Sequence, residues 1–311
     1  MNGSPRISYI SQFFILLGLT AGGFLFASVI SLVLMMALTG TGVGTLEKEM
    51  LNPENANAIR IVQLVGSCIM FFLPAIVFSV IVSRSPGRHL GLKTKFNWVL
   101  AGLAILMVFV AFYLSGALAE LTNQIPLSPK AEAFFRKLEK SYMDQVMIIA
   151  NMKSVGDYLF TLIVIGFAPA IFEEILFRGA MQQLLIKWSR NAWVGIIITS
   201  LIFSVVHFSY YGFLSRFALG IMLGFMFHYS KSLWLPIIAH FVNNGVAVTM
   251  MYYTSRKGEL SPELLEEKFP VWWGAIALAV LILLFVFYRK ESKRIGTYYS
   301  ENFREKADNP F

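Results

Sequence analysis

The sequence predicts an all-α fold, a polytopic membrane helix bundle of about eight transmembrane helices with one amphipathic surface helix. Three observations predict it. Of 311 residues, 57% are hydrophobic and 14% charged, with a mean hydropathy of +0.65, whereas a soluble domain carries about 25% charged residues. The apolar residues gather into runs that reach the roughly 20 residues a bilayer crossing needs. The charges gather between those runs. Side chains that face lipid need no polar coat, so membrane insertion accounts for the missing charge.

The runs lie near 12–39, 60–82, 97–121, 155–187, 191–209, 214–230, 233–253 and 270–289. The first, from Phe13 to Leu38, is far longer than the h-region of a cleavable signal peptide, so it is expected to stay as a membrane helix that also starts transfer. In the connection 122–154, Ser128-Pro129 pairs an N-cap residue with proline at the first helical position. Phe135, Leu138, Tyr142 and Val146 follow at helical spacing, opposite Lys137, Glu139 and Lys140. That pattern predicts an amphipathic helix at the membrane surface. The fourth run is too long for one straight span, and Pro169 is expected to kink it, with the part beyond shielded by other helices. Gly220 and Gly224 form a GxxxG pair, which signals close helix packing. The chain divides into three N-terminal helices (1–121), the amphipathic connection (122–154), a core of helices four to eight (155–289) and a polar tail (290–311).

The formal net charge is +8. Nucleic acid is not the expected partner, because the basic residues sit in short segments between apolar runs. The connection 83–96 holds Arg84, Arg88, Lys93 and Lys95 with no acid, which marks it as cytoplasmic. Both termini then fall in the cytoplasm, in agreement with Arg289, Lys290, Lys293 and Arg294 after the last run and with Lys187, Arg190 and Lys231 in other connections. The expectation is a multi-pass plasma-membrane protein with the lipid bilayer as its surroundings. The single cysteine, Cys68, lies in an apolar run, which excludes an intrachain disulfide and a cysteine metal set.

Charged residues in mid-bilayer cost about 2.5–3.5 kcal/mol each on insertion scales and mark interior cavities with a task. Here polar groups cluster in neighbouring runs: Glu173, Glu174 and Arg178 in FEEILFRG, Phe203 and His207 in FSVVHF, His240, Asn243 and Asn244 in AHFVNN. Residues four apart share a helix face. Glu174 therefore pairs with Arg178, Phe203 stacks over His207, and His240 aligns with Asn244. Glu173 is rotated by about 100° from Glu174 and is left as the unpaired acid facing a cavity. Asn243 is expected to face elsewhere. At about 1.5 Å per residue, Glu173 lies roughly 21 Å along its helix from Lys187, His207 roughly 25 Å from Arg190, and His240 and Asn244 roughly 13 and 20 Å from Lys231. These depths allow the groups to meet inside the hydrocarbon layer. His228 and His89 have no evident chemistry.

A carboxylate and an imidazole beside one water make a general-base pair, and a second histidine with an amide supplies donors for an oxyanion. Those parts suffice to hydrolyse an amide. A proton relay in a transporter, or a polar network that holds helices together, uses the same residue types, and the residues alone leave the three readings open.

The ordered set EExxxR (Glu173 to Arg178), FxxxH (Phe203 to His207) and HxxxN (His240 to Asn244) resembles the CPBP, or Abi, family of intramembrane endopeptidases. That family includes the type II CAAX prenyl proteases and lysostaphin-resistance-like proteins. The resemblance covers about residues 170 to 245. It implies that Glu173 and His207 activate the attacking water, that His240 and Asn244 form an oxyanion hole, and that Glu174 and Arg178 support the site, with 155–289 as the catalytic core. It also implies a peptide or protein substrate at the membrane. HExxH, the zincin spacing, is absent, which favours a metal-free glutamate mechanism with no cofactor. Were zinc bound, Glu173, His207 and His240 would be its ligands. The rival reading is a non-proteolytic membrane protein, either a transporter or a toxin self-immunity scaffold. Transporters more often carry inverted repeats with broken helices, and no repeat is evident here.

Overall fold

The computed structural model describes residues 7–94, 96–261 and 269–308, with side chains described as far as residue 296. Lys95 of the basic connection and the side chains at the end of the polar tail lie outside the described residues. The described residues form helices and no strand. The principal helices are α1 (Tyr9–Thr39), α2 (Pro53–Val82), α3 (Trp98–Gln124), α4 (Pro129–Ala150), α5 (Val155–Ser189), α6 (Ala192–Val205), α7 (Phe213–Ser230), α8 (Trp234–Lys257) and α9 (Val271–Asp308).

Six of them, α1, α2, α3, α5, α8 and α9 over Val271–Gly296, are long and apolar enough to cross a membrane. The remaining two of the eight expected spans become α6 and α7. At 14 residues, α6 is only about 21 Å long, short of the ~30 Å hydrocarbon layer. It turns back into α7 through residues 206–212. Outer helices present large apolar residues outward, such as Phe14 and Leu25 on α1 and Leu283 on α9, as lipid contact requires.

Helix starts follow the local chemistry. Ser8, Asn97, Ser128 and Asn191 each accept a first-turn backbone N–H. Ser154 and Asp157 form a reciprocal capping box at the start of α5. Arg60 on α2 is buried there, donating to Ile149 O at 2.7 Å and lying 3.7 Å from Asp157. It clamps α2 to the α4–α5 junction.

The predicted surface helix exists as α4, with one correction. Glu139 belongs to the docked side: it accepts from Ser209 Oγ at 2.9 Å. One turn away, Phe135 stacks on Tyr210 with centroids 4.8 Å apart, while Leu138 and Tyr142 stay exposed. A polar partner on the facing loop turned the acid inward, which periodicity cannot foresee.

In α5, two wider π-helical stretches, Leu162–Phe167 and Ile175–Gln182, replace a simple proline kink. The first precedes Pro169, whose missing N–H disrupts the regular ladder. The segment beyond, from Ile175 to Ala180, is wholly buried, as expected. Arg178 and Gln182, four residues apart, donate to the carbonyls of Gly220 (3.1 Å) and Gly224 (2.9 Å), also four apart. A Cβ at Gly220 would lie 2.9 Å from Ser200 Cβ, and one at Gly224 3.0 Å from Ile196 Cγ2. Only glycine permits this contact of α7 with α5 and α6.

The basic connections share one end of the bundle. Leu233 N and Trp234 Nε1 donate to the carbonyls of Gly91 and Leu92. Gln183 Nε2 donates to His89 O, and Trp188 lies against Phe13 near the start of α1.

Candidate active site

Three elements converge: the middle of α5, the turn after α6, and α8. Their polar groups are largely buried, with Glu174 and Arg178 at 0%, His240 at 3% and Glu173 at 8% exposure.

Arg178 Nη1 donates to Glu174 Oε1 at 2.6 Å, the ion pair expected from the spacing. His240 Nδ1 also donates to Glu174 Oε1, at 2.9 Å, a contact that spacing did not anticipate. It arises because Leu233, just before α8, packs beside Gly179, well inside the end of α5. The loop carbonyls of Gly91 and Leu92 bond the residues at the start of α8 and fix that end of the helix. Phe203 sits at the centre, its ring 4.7 Å from Arg178 Cζ, 4.8 Å from the His207 ring and 6.1 Å from the His240 ring.

His207 is not on the helix that sequence spacing assumed. α6 ends at Val205, and Phe208 has a left-handed φ of 51°. In a continued helix the His207 N–H would bond Phe203 O. Here His207 Nδ1 does so at 2.6 Å, while its backbone N–H bonds Ser204 O. The imidazole has displaced its own backbone. Because a carbonyl only accepts, Nδ1 carries the proton, so Nε2 of the neutral ring is an acceptor. That nitrogen lies 3.9 Å from Glu173 Oε2, which is buried with no hydrogen-bond partner.

Asn244 lies on the His240 face but binds elsewhere. Its Nδ2 donates to Ile165 O at 3.1 Å, the carbonyl that an N–H at position 169 would take in a regular helix. Asn243, the adjacent residue on α8, donates its Nδ2 to Asn244 Oδ1 at 3.1 Å.

Sequence reasoning missed Arg216 at the start of α7. Its Nη1 is buried without a hydrogen-bond partner, its guanidinium faces the Tyr142 ring at 5.9 Å, and it interacts electrostatically with Glu173 and His207. The signal was available as a lone arginine at the start of an apolar run. The α4 contacts at Ser209, Tyr210 and Arg216 cover the loop that follows His207.

The zinc set does not fit. Among the described residues no three His, Cys, Asp or Glu side chains gather to hold a metal.

The site lies in the part of the chain that is similar to known proteins. The family described as "Type II CAAX prenyl endopeptidase Rce1-like" matches residues 155–246, the span that carries every motif above. The chain is 27% identical over 124 residues to "Uncharacterized protein YpbD" of Bacillus subtilis, covering 39% of this chain and 59% of that protein. It is 31% identical over 147 residues to the "Uncharacterized 24.3 kDa protein" of Escherichia coli, covering 46% of this chain and 58% of that protein. It is 33% identical over 89 residues to "Putative membrane peptidase YdiL" of Bacillus subtilis, covering 29% of this chain and 36% of that protein. The chain thus spans less than two thirds of each. No solved structure matches it significantly. Residues 155–246 are thus similar to the Rce1-like, type II CAAX prenyl endopeptidase family, in agreement with the CPBP group that the motifs resemble.

Proposed function

We propose that this protein is an intramembrane endopeptidase that hydrolyses a peptide bond of a membrane-associated protein or peptide with water activated by Glu173 and His207. The observation that carries the proposal is the 3.9 Å approach of His207 Nε2 to the unpartnered Glu173 Oε2. Two acceptors at that spacing take the two hydrogens of one water and leave an oxygen lone pair for the carbonyl carbon. Glu173 accepts a proton as the C–O bond forms. It returns that proton to the leaving amine as the C–N bond breaks, which yields a carboxyl and an amine product.

The oxyanion needs donors. Asn244 Nδ2 has a second hydrogen beyond the one given to Ile165 O. His240 donates Nδ1–H to Glu174, so its Nε2 is a second donor only when both ring nitrogens carry a proton. Glu174 and Arg178 thus orient His240 and do not touch substrate. The membrane-peptidase name of one relative and the Rce1-like family support the reaction class. The gathering of basic connections at one end supports a plasma-membrane orientation with both termini in the cytoplasm.

The test uses purified protein and a cleavable membrane peptide in ¹⁸O-labelled water. One label should enter the new carboxyl terminus, and a strong chelator should leave the rate unchanged. Loss of activity on chelation, restored by zinc, would contradict the metal-free route.

A further inference from the structure

A second cleft lies at the basic end of the bundle, apart from the carboxylate–histidine cluster. About 340 Å³ in volume, it opens between the start of α3, the α7–α8 turn and α9. Its polar lining includes Asn97, Lys231, Ser232 and Ser292, and among the described residues no acidic side chain lines it. Ser232 and Ser292 are 98% and 92% buried, and among the described residues neither hydroxyl has a hydrogen-bond partner. Two orphaned hydroxyls in one cleft are costly unless a ligand accepts from them. The acid next to Ser292, Glu291, is held by Arg294 at 2.6 Å and does not offset Lys231.

The rest of the wall is apolar, formed by Leu100, Leu235 and Ile295. A ligand that fits presents several acceptor oxygens and a negative charge at one end and hydrocarbon at the other. Basic pockets between membrane helices bind lipid headgroups in this way. We propose that this cleft binds the phosphate of an anionic membrane lipid, with Lys231, Ser232 and Ser292 on the phosphate oxygens and an acyl chain along Leu100, Leu235 and Ile295.

The test is native mass spectrometry of the purified full chain, titrated with phosphatidylglycerol, phosphatidylcholine or inorganic phosphate. Ser232→Ala with Ser292→Ala removes only unpartnered hydroxyls, so the variant should fold. Lys231 has a φ of 57°, so Lys231→Asn removes the charge with a residue that tolerates that backbone. One phosphatidylglycerol should bind the wild type tightly, and each variant should bind it roughly five- to tenfold more weakly. Phosphatidylcholine and inorganic phosphate should compete poorly. Equal retention of phosphatidylglycerol by wild type and both variants would overturn the proposal, as would binding of inorganic phosphate with equal affinity, which would make this a free-phosphate site. Glu173→Gln protein should retain the lipid unchanged, so this outcome and that of the peptidase reading are separable.

Discussion

At Pro169 the chain lacks the N–H that would bond the carbonyl of Ile165, and Asn244 supplies a donor in its place. One amide thus mends α5 and anchors α8 beside Glu173. Asn244→Leu preserves size but removes that donor, so it should destabilise the protein by about 0.5–1.5 kcal/mol, measurable as a lower unfolding midpoint in detergent. Arg178 holds a harsher constraint. With Glu174 fully buried, Arg178→Met strands a carboxylate and should cost about 3–5 kcal/mol, much of which a second substitution, Glu174→Gln, should recover. If the double variant proves no more stable than the single one, Glu174 is not the charge that Arg178 neutralises. Both residues were legible from their spacing, because an i,i+4 pair is a local fact. The bond of His240 to Glu174 was not, since the start of α8 is bonded to loop carbonyls 142 residues earlier in the chain.

At the scale of elements, α7 is set against α5 by paired glycine carbonyls and against α6 by the missing side chains of Gly220 and Gly224. Gly220→Ala should force Ser200 aside and lower stability by roughly 1–3 kcal/mol, whereas Gly296→Ala, with no neighbour to meet, should not. A thermal-shift comparison of the two variants checks the assignment. The GxxxG pair was legible as a packing signal; its bonds to Arg178 and Gln182 were not, being tertiary. The end of α6 was also hidden. An FxxxH pattern reads as one helical face, yet His207 ends the helix by giving its ring N–H to the carbonyl its backbone would have used. The eight apolar runs were visible, but a run of that kind does not reveal that α6 stops short of a full crossing.

For the whole molecule, the gathered basic connections make a pH-sensitive joint. His89 lies in the connection between α2 and α3, and burial, followed by the charge of Lys187, lowers its pKa to about 4. Its unfolded value is near 6.5, so the unfolded chain binds more protons between those values. Stability is then full above pH ~6.5, falls as pH drops toward about 4, and levels below. His89→Gln should flatten that part of the profile; an unchanged slope would show that His89 does not carry it. Across the bundle, Glu173 and His207 lie where the short α6–α7 hairpin turns, beneath α4. Composition made the membrane setting legible and motif order the catalytic candidates, but the cover formed by α4 depends on contacts that no periodicity encodes. The measurement that tests the central claim most directly compares peptide termini in membranes of cells carrying wild-type or Glu173→Gln protein at equal abundance. New internal termini should appear with the wild type and vanish with Glu173→Gln and with His207→Ala. The same termini at the same yield with Glu173→Gln would contradict the account.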